Sequence, residues 1–367
     1  MNKAIVAGLA AGVLVVGLIF SPVFSGFPLS TAQAQGTGNT KHFTLIADEV
    51  VVQVAPDNPL HPGGIMYNAM TFNGTIPGPV ISVHQGDTVE FTLTNEGNVI
   101  HSLDFHAGFG ASKALSGNVA AGESKTWTLE AVNAGVFYYH CGADSLNGIW
   151  EHIANGMYGG IVVHPHNEKP AKEFYVVFGE IYNANDGGPF VGSNGTGSFD
   201  LGKLWNNHPD LMLTNGMAHK YVPAIGQQAP IVLNSELNTE IGDGDLSNVF
   251  VVKPGELTRW YLVNPGPNQF LAFHFIGGMI DVKDGSIKNR YGTQLKNDET
   301  WTIPPGSASV IESVFPEEGL YVGVSHSMEH VLKGAAFAVV ASNGSTDDDH
   351  PPGTMVMSME DTLMPEQ

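Results

Sequence analysis

Apolar and polar positions alternate along this chain in short runs. In Thr88–Thr94, Val89, Phe91 and Leu93 fall on one side while threonine and glutamate fall on the other. That two-residue period is the mark of a half-buried strand. Lys125–Leu129, Gly135–Cys141 and Gly160–His164 read as strands in the first half, and Phe174–Phe178, Val249–Val252, Leu257–Val263 and Gly319–Val324 in the second. No long segment of the body carries a helical period. Turn formers are abundant, with 45 glycines and 22 prolines, so the strands are short and closely connected. The pattern predicts an all-β chain with a β-sandwich in each half.

The halves also resemble each other. Val83, Gly86, Asp87, Phe91, Asn95 and Gly97 are matched at one constant offset by Val252, Gly255, Glu256, Trp260, Asn264 and Gly266. Gly135-Val136-Phe137-Tyr138 is echoed by Gly319-Leu320-Tyr321-Val322. Such self-similarity implies a duplicated domain, and 367 residues are enough for two cores. The expected division is a first domain over 35–168, a second over 169–342, a polar linker at Asn167–Lys172, and a tail over 343–367. That tail is acidic (Asp347, Asp348, Asp349), contains Met355, Met357, Met359 and Met364, and is expected to be mobile or laid on the surface. Residues 1–34 read as an export signal: Lys3, the apolar run Ala4–Phe20, and the small-residue site Ala32-Gln33-Ala34. The alternative is an uncleaved N-terminal anchor. Either reading puts the body outside the cytoplasm, in the periplasm or on the extracellular side.

Formal charge is −21, and loss of the signal removes only one further cation, Lys3. So acidic a surface argues against nucleic acid and anionic membranes as partners, and suits a basic redox partner. Cys141 is the sole cysteine. Exported proteins usually pair their thiols, so a solitary one is a buried inert group, a reactive group or a metal thiolate.

Its neighbours favour the last. Tyr139-His140-Cys141 is followed by His152 and Met157, and preceded by His101-Ser102-Leu103-Asp104-Phe105-His106. A mononuclear blue-type copper takes two imidazoles, one thiolate and a weak axial thioether. His101, Cys141, His152 and Met157 supply that set. Neighbouring strand residues point to opposite faces, so if Cys141 faces its own copper, His140 faces outward. By the same parity His106 and Asp104 share the outward side. Two outward histidines leave a site incomplete, and the second half offers His274, in Phe273-His274-Phe275-Ile276-Gly277-Gly278, and His326, in Val324-Ser325-His326-Ser327-Met328. Three imidazoles and an open position are a standard catalytic metal arrangement.

At this point the chain resembles the two-domain copper-containing nitrite reductases of the multicopper oxidase superfamily. The resemblance rests on Phe72-Asn73-Gly74-Thr75-Ile76-Pro77-Gly78-Pro79, His101-x-x-Asp104-x-His106, His140-Cys141, His152-x-x-x-x-Met157 and His274-x-Ile276-Gly277-Gly278. It implies two tandem cupredoxin-like Greek-key β-sandwich domains with one type 1 and one type 2 copper per subunit. It implies that His101, Cys141, His152 and Met157 hold type 1 copper, and that His106, His140 and His326 hold type 2 copper. His326 would come from a neighbouring subunit of a homotrimer, with His330 as the alternative ligand. Asp104 and His274 would handle protons, and Ile276 would pack over the substrate. The implied reaction is reduction of nitrite to nitric oxide, with electrons from a small cupredoxin or a cytochrome. One departure stands out: ten residues separate Cys141 from His152, more than the family usually has.

Two rival readings are a laccase-type oxidase and a plain electron carrier. The oxidase needs paired His-x-His motifs and a His-Cys-His, whereas Gly142 follows Cys141 and the one His-x-His, His164-Pro165-His166, falls at the linker, where it is expected at the surface. The carrier leaves His106, His140, His274 and His326 without a purpose.

Overall fold

The computed structural model describes residues 39–58, 60–108, 117–143, 146–184, 196–222, 248–283, 295–344 and 356–357. The expected export segment 1–34 and Met355, Met359 and Met364 of the tail lie outside the described residues.

Four sheets build two cupredoxin-like sandwiches. In the first sandwich, one sheet runs in the order Thr196–Gly197, Ile65–Phe72, Thr40–Ala55, Thr88–Asn95, Ser124–Glu130. Its mate runs Val356–Met357, Val80–His84, Tyr158–His164, Gly135–His140, Asp104–Phe105. In the second sandwich the orders are Leu211–Thr214, Lys172–Ile181, Leu257–Asn264, Ser307–Val314, Ile280–Val282, Leu295–Asp298, and Phe250–Val252, Ala336–Ala341, Gly319–Ser325, Leu271–Ile276, Thr300–Ile303. The alternation read in Thr88–Thr94 is realised as burial, with Val89, Phe91 and Leu93 inside and Thr88, Glu90 and Thr92 half-buried.

One pairing plan serves both sandwiches. Thr40–Ala55 lies parallel to Thr88–Asn95 as Lys172–Ile181 does to Leu257–Asn264. The second member of each pair then runs antiparallel to Ser124–Glu130 or Ser307–Val314. The repeated Asn-x-Gly turns share their hydrogen bonds as well. Asn95 donates to the carbonyls of Val99 and Val119 and accepts from Gly97 N–H. Asn264 donates to those of Gln269 and Ile303 and accepts from Gly266 N–H.

Among the described residues, the three largest clusters of buried apolar side chains build the cores. One core fills the first sandwich with Phe43, Phe91, Phe105 and Trp127 and includes Cys141 and Met157. A second surrounds Trp260, which stacks on Phe174 at 4.3 Å between ring centroids. The third joins the sandwiches: Tyr67, Tyr138, Tyr158 and Val162 pack with Val177, Leu213, Tyr261 and Val310. Burial of each such side chain is worth about 1.5–3 kcal/mol, so the sandwiches meet across a true core. Gly216 shows how close the approach is, since a Cβ there would lie 1.6 Å from the Ile76 carbonyl oxygen.

Short helices occur at Leu146–Ala154, Leu201–Trp205 and Met328–Lys333, consistent with a chain of many turns and few long helices. Within the tail, Val356–Met357 pairs parallel with Val80–Ile81 at a sheet edge. One detail departs from the expectation: His164, expected at the surface, is largely covered and lies 3.0 Å from Ser82 Oγ and 3.1 Å from Glu168.

Residues 165–171, the connection between sandwiches, are tied down by charge. Arg259 is 3 % exposed and reaches Glu168 at 3.3 Å, Glu173 at 3.1 Å and Glu312 at 2.8 Å, with a further bond to the Lys169 carbonyl. Removing the guanidinium would leave three crowded carboxylates without their shared cation. Arg259→Met is therefore expected to lower stability by about 3 kcal/mol, read as a drop in the urea midpoint. A second link joins residues from both halves: His219 Nε2–H donates to the Leu332 carbonyl, and its Nδ1 faces His61 Nε2 at 3.1 Å. Burial, reinforced by His61, pushes His219 down to about 4. The unfolded chain would take up that proton near pH 6.5 and the folded one only near 4, so this stability is present above pH 6.5 and lost as pH falls between those values. Urea unfolding from pH 7 to pH 4 should show a loss of about 3 kcal/mol that His219→Asn reduces.

Candidate metal centres

The Gly135–His140 strand ends one residue before Cys141, and these last two residues point opposite ways. Cys141 is fully buried in the first core. His152 Nδ1 lies 3.2 Å from its sulfur and His101 Nδ1 3.9 Å, while Ser102 N–H donates to the sulfur at 3.3 Å. His152 reaches this position on the Leu146–Ala154 helix, where Leu146, Ile149 and Ile153 recur at helical spacing. That helix takes up the long interval after Cys141. Met157 N–H then donates to the His152 carbonyl, and Cys141 N–H to the Met157 carbonyl, which ties both ends of the ligand loop together. Met157 is fully buried in the same cluster.

His101 is held from behind. Its Nε2–H donates to Glu49 Oε1 at 2.9 Å, leaving the Nδ1 lone pair toward the sulfur. Burial pushes the Cys141 thiol up to about 12, so without a cation it stays protonated at neutral pH. Two imidazole nitrogens converging on a dry thiol suit a thiophilic metal such as copper, which would remove the proton on binding.

The outward set lies one residue away. Asp104 pairs with His140 in the sheet register, and its Oδ2 is 3.8 Å from His140 Nε2. His140 Nδ1–H donates to the Cys141 carbonyl at 2.8 Å, so the Nε2 lone pair points outward. His106 Nε2 meets it at 3.2 Å. Desolvation, then the neighbouring His140, pushes His106 down to about 4 although the residue is exposed, and burial pushes His140 down as well, so both rings present neutral nitrogens to one point. This donor set also fits a metal ion. Tyr138 lies against both rings, stacked on His140 at 4.9 Å and tilted on His106 at 4.1 Å.

In the second sandwich His274 and His326 lie together, with ring centroids 5.3 Å apart. His274 Nδ1–H donates to the Glu299 carbonyl, and Ile276 shares the strand face with His274. His326 is exposed. His330 is buried, with both nitrogens engaged by Ser325 Oγ at 2.8 Å and Gln269 Oε1 at 3.0 Å. Within one chain and among the described residues, the close clusters of three possible ligands are His101–Cys141–His152, Asp104–His106–His140 and His164–Glu168–Glu173. Neither His274 nor His326 belongs to one. The third cluster is already engaged by Arg259, which pairs with both of its carboxylates.

Sequence reasoning passed over Glu49 and Tyr138. Glu49 lies far from any ligand motif in the chain, and Tyr138 reads as an ordinary strand aromatic. The helix bearing His152 did leave a signal, in its apolar spacing.

Comparison with known proteins finds relatives of this chain. A multicopper oxidase family model matches residues 54–168. The copper-containing nitrite reductase of Neisseria meningitidis is 31 % identical over 307 residues, covering 82 % of this chain and 69 % of that one. That of Rhizobium meliloti is 29 % identical over 330 residues, covering 87 % and 80 %. Among solved structures, the copper nitrite reductase of Nitrosomonas europaea aligns with a TM-score of 0.69 at 30 % identity, covering 87 % of this chain and all of that one.

Copper(II) added to the metal-free protein should produce an intense visible thiolate-to-copper absorption. Cys141→Ser should abolish that band while copper bound at His106 and His140 persists. Visible spectroscopy with metal analysis checks both outcomes.

Proposed function

The chain belongs to the copper-containing nitrite reductases, and from that premise we propose that its two donor sets divide the work of reducing nitrite to nitric oxide. It is an oxidoreductase that uses copper. His101, Cys141, His152 and Met157 hold the electron-accepting type 1 ion. His106 and His140, completed by His326 of a neighbouring subunit in a homotrimer, hold the type 2 ion where nitrite binds. Copper, when bound, supplies one-electron redox chemistry at the first set and Lewis acidity at the second.

The side chains account for the rest. Nitrite takes up one electron and two protons and yields nitric oxide and water. Cys141 and His140 are successive residues, so a single peptide link is the short covalent bridge for the electron. Asp104, 3.8 Å from His140 Nε2, delivers a proton to the departing oxygen, and His274 of the same neighbouring subunit, which lies beside that subunit's His326, delivers the other. Ile276 of that neighbouring subunit narrows the pocket over the substrate. The electron comes from a basic donor protein, a small cupredoxin or a cytochrome, drawn by the acidic surface. Export places the enzyme on the periplasmic or extracellular side.

The observation that carries this reading is the meeting of His106 and His140 nitrogens 3.2 Å apart, one residue from a buried thiol. Completion in trans is supported by the exposure of His326 and, among the described residues, by its absence from the close intrachain ligand clusters. His330 is the poorer ligand, because its nitrogens already hold two bonds.

The test is a nitrite-to-nitric-oxide assay with a reduced donor on His326→Ala and His330→Ala. His326→Ala should lose roughly 100-fold or more in activity and its type 2 copper, yet keep the visible band. His330→Ala should keep its copper and lose about 1–3 kcal/mol of stability. Activity surviving in His326→Ala would reject the assignment.

A further inference from the structure

The duplicated plan supplies an internal comparison. In the first sandwich Ile46 pairs with Thr94, one residue before Asn95, and Glu49 lies three residues beyond Ile46. In the second, Val177 pairs with Val263, one residue before Asn264, and Glu180 lies three residues beyond Val177. Both glutamates therefore stand over the same Asn-x-Gly turn, and both are gripped by its amides. Asn98 N–H donates to Glu49 at 2.7 Å, Asn98 Nδ2 at 2.9 Å and Val99 N–H at 3.4 Å. Asn268 N–H donates to Glu180 at 3.1 Å and Gln269 N–H at 2.7 Å.

The remaining partner differs. Glu180 takes the Tyr182 hydroxyl, within its own strand pair. Glu49 takes Nε2–H of His101, a fully buried imidazole whose other nitrogen faces Cys141. The cradle is close: a Cβ on Gly97 would lie 2.5 Å from Glu49 Oε1. A structural carboxylate common to both halves has thus been placed, in one half alone, behind a copper ligand.

We propose that Glu49 is a positioning residue that sets the reduction potential of the thiolate copper through His101. This rests on the assignment of His101 to that copper. An anion accepting Nε2–H fixes the tautomer, holds the ring plane and raises the basicity of Nδ1. A more basic nitrogen and a nearby negative charge both favour the more highly charged oxidised metal. Glu49 therefore holds the potential down, which makes the reduced ion a stronger electron donor to whatever it passes its electron on to. Glutamine at this position can still accept the hydrogen bond from His101 but carries no charge, at the cost of the bonds that Asn98 donates to the other carboxylate oxygen.

The experiment is an optical redox titration of the copper-loaded protein, following the visible band in wild type, Glu49→Gln, Gly97→Ala and Glu180→Gln. Glu49→Gln should weaken binding of oxidised relative to reduced copper roughly tenfold, a rise of about 59 mV for a one-electron couple. Gly97→Ala, which crowds the carboxylate, should move the potential the same way, and it decides the matter if Glu49→Gln does not fold. Glu180→Gln should leave the potential where it was. An unchanged potential in Glu49→Gln with the band intact overturns the inference and leaves the nitrite reductase reading standing. An equal shift in Glu180→Gln also overturns it. A wild type without any thiolate band overturns the reading beneath.

Discussion

Successive residues of an extended strand cannot share a face, and this constraint organises the chemistry of the molecule. At the end of the Gly135–His140 strand it sends Cys141 into a dry core and the His140 imidazole to the outside. The strand is thereby a partition: a buried thiol and buried imidazoles on one side, neutral imidazoles beside a carboxylate on the other. One peptide joins the two environments. A helix could not do this so economically, because residues one apart on a helix diverge by only about 100°. The β-fold matters here less as a container than as a two-sided wall with donors on both surfaces.

That wall is held rigid from its outer side. Tyr138, two residues before His140, belongs to the apolar layer between the sandwiches while its ring contacts both His106 and His140. Packing of the second sandwich against the first is therefore coupled to the orientation of the outward histidines. Ring orientation decides where lone pairs point, and a donor set tolerates little error. The interface core and the Arg259 hub at the connection serve the same end. A bend between sandwiches would disturb the histidines before it disturbed the buried thiol.

Much of this was legible in the sequence, and the limits have physical causes. Thr88–Asn95 declared itself because one face is buried and one is wet. Ala336–Ala341 did not, because every residue in it is buried and no alternation survives. The repeat announced itself through turns, since Asn95 and Asn264 answer the same backbone demand and cannot drift freely. Cys141, His152 and Met157 could be singled out as candidate ligands because metal chemistry restricts ligand types. Glu49 could not: a single glutamate carries no signature until the fold sets it 2.9 Å from His101. His326 and His330 are nearly equivalent as letters, and only burial and hydrogen bonding distinguish them.

The acidity of the chain bears on how an anion could be its substrate. A formal charge of −21 spread over the surface would repel nitrite if the charges acted together at long range. They do not, because the Debye length at physiological ionic strength is about 8 Å, and carboxylates farther away are largely screened. What an arriving anion meets at close quarters is the local set. Among the described residues, the ligand cluster there comprises two neutral imidazoles and one carboxylate, Asp104. A divalent cation held there would outweigh one carboxylate. The global charge can therefore serve solubility and partner choice without closing the site to an anion. Local and global electrostatics obey different distances, and only the local set needs to be compatible with the substrate.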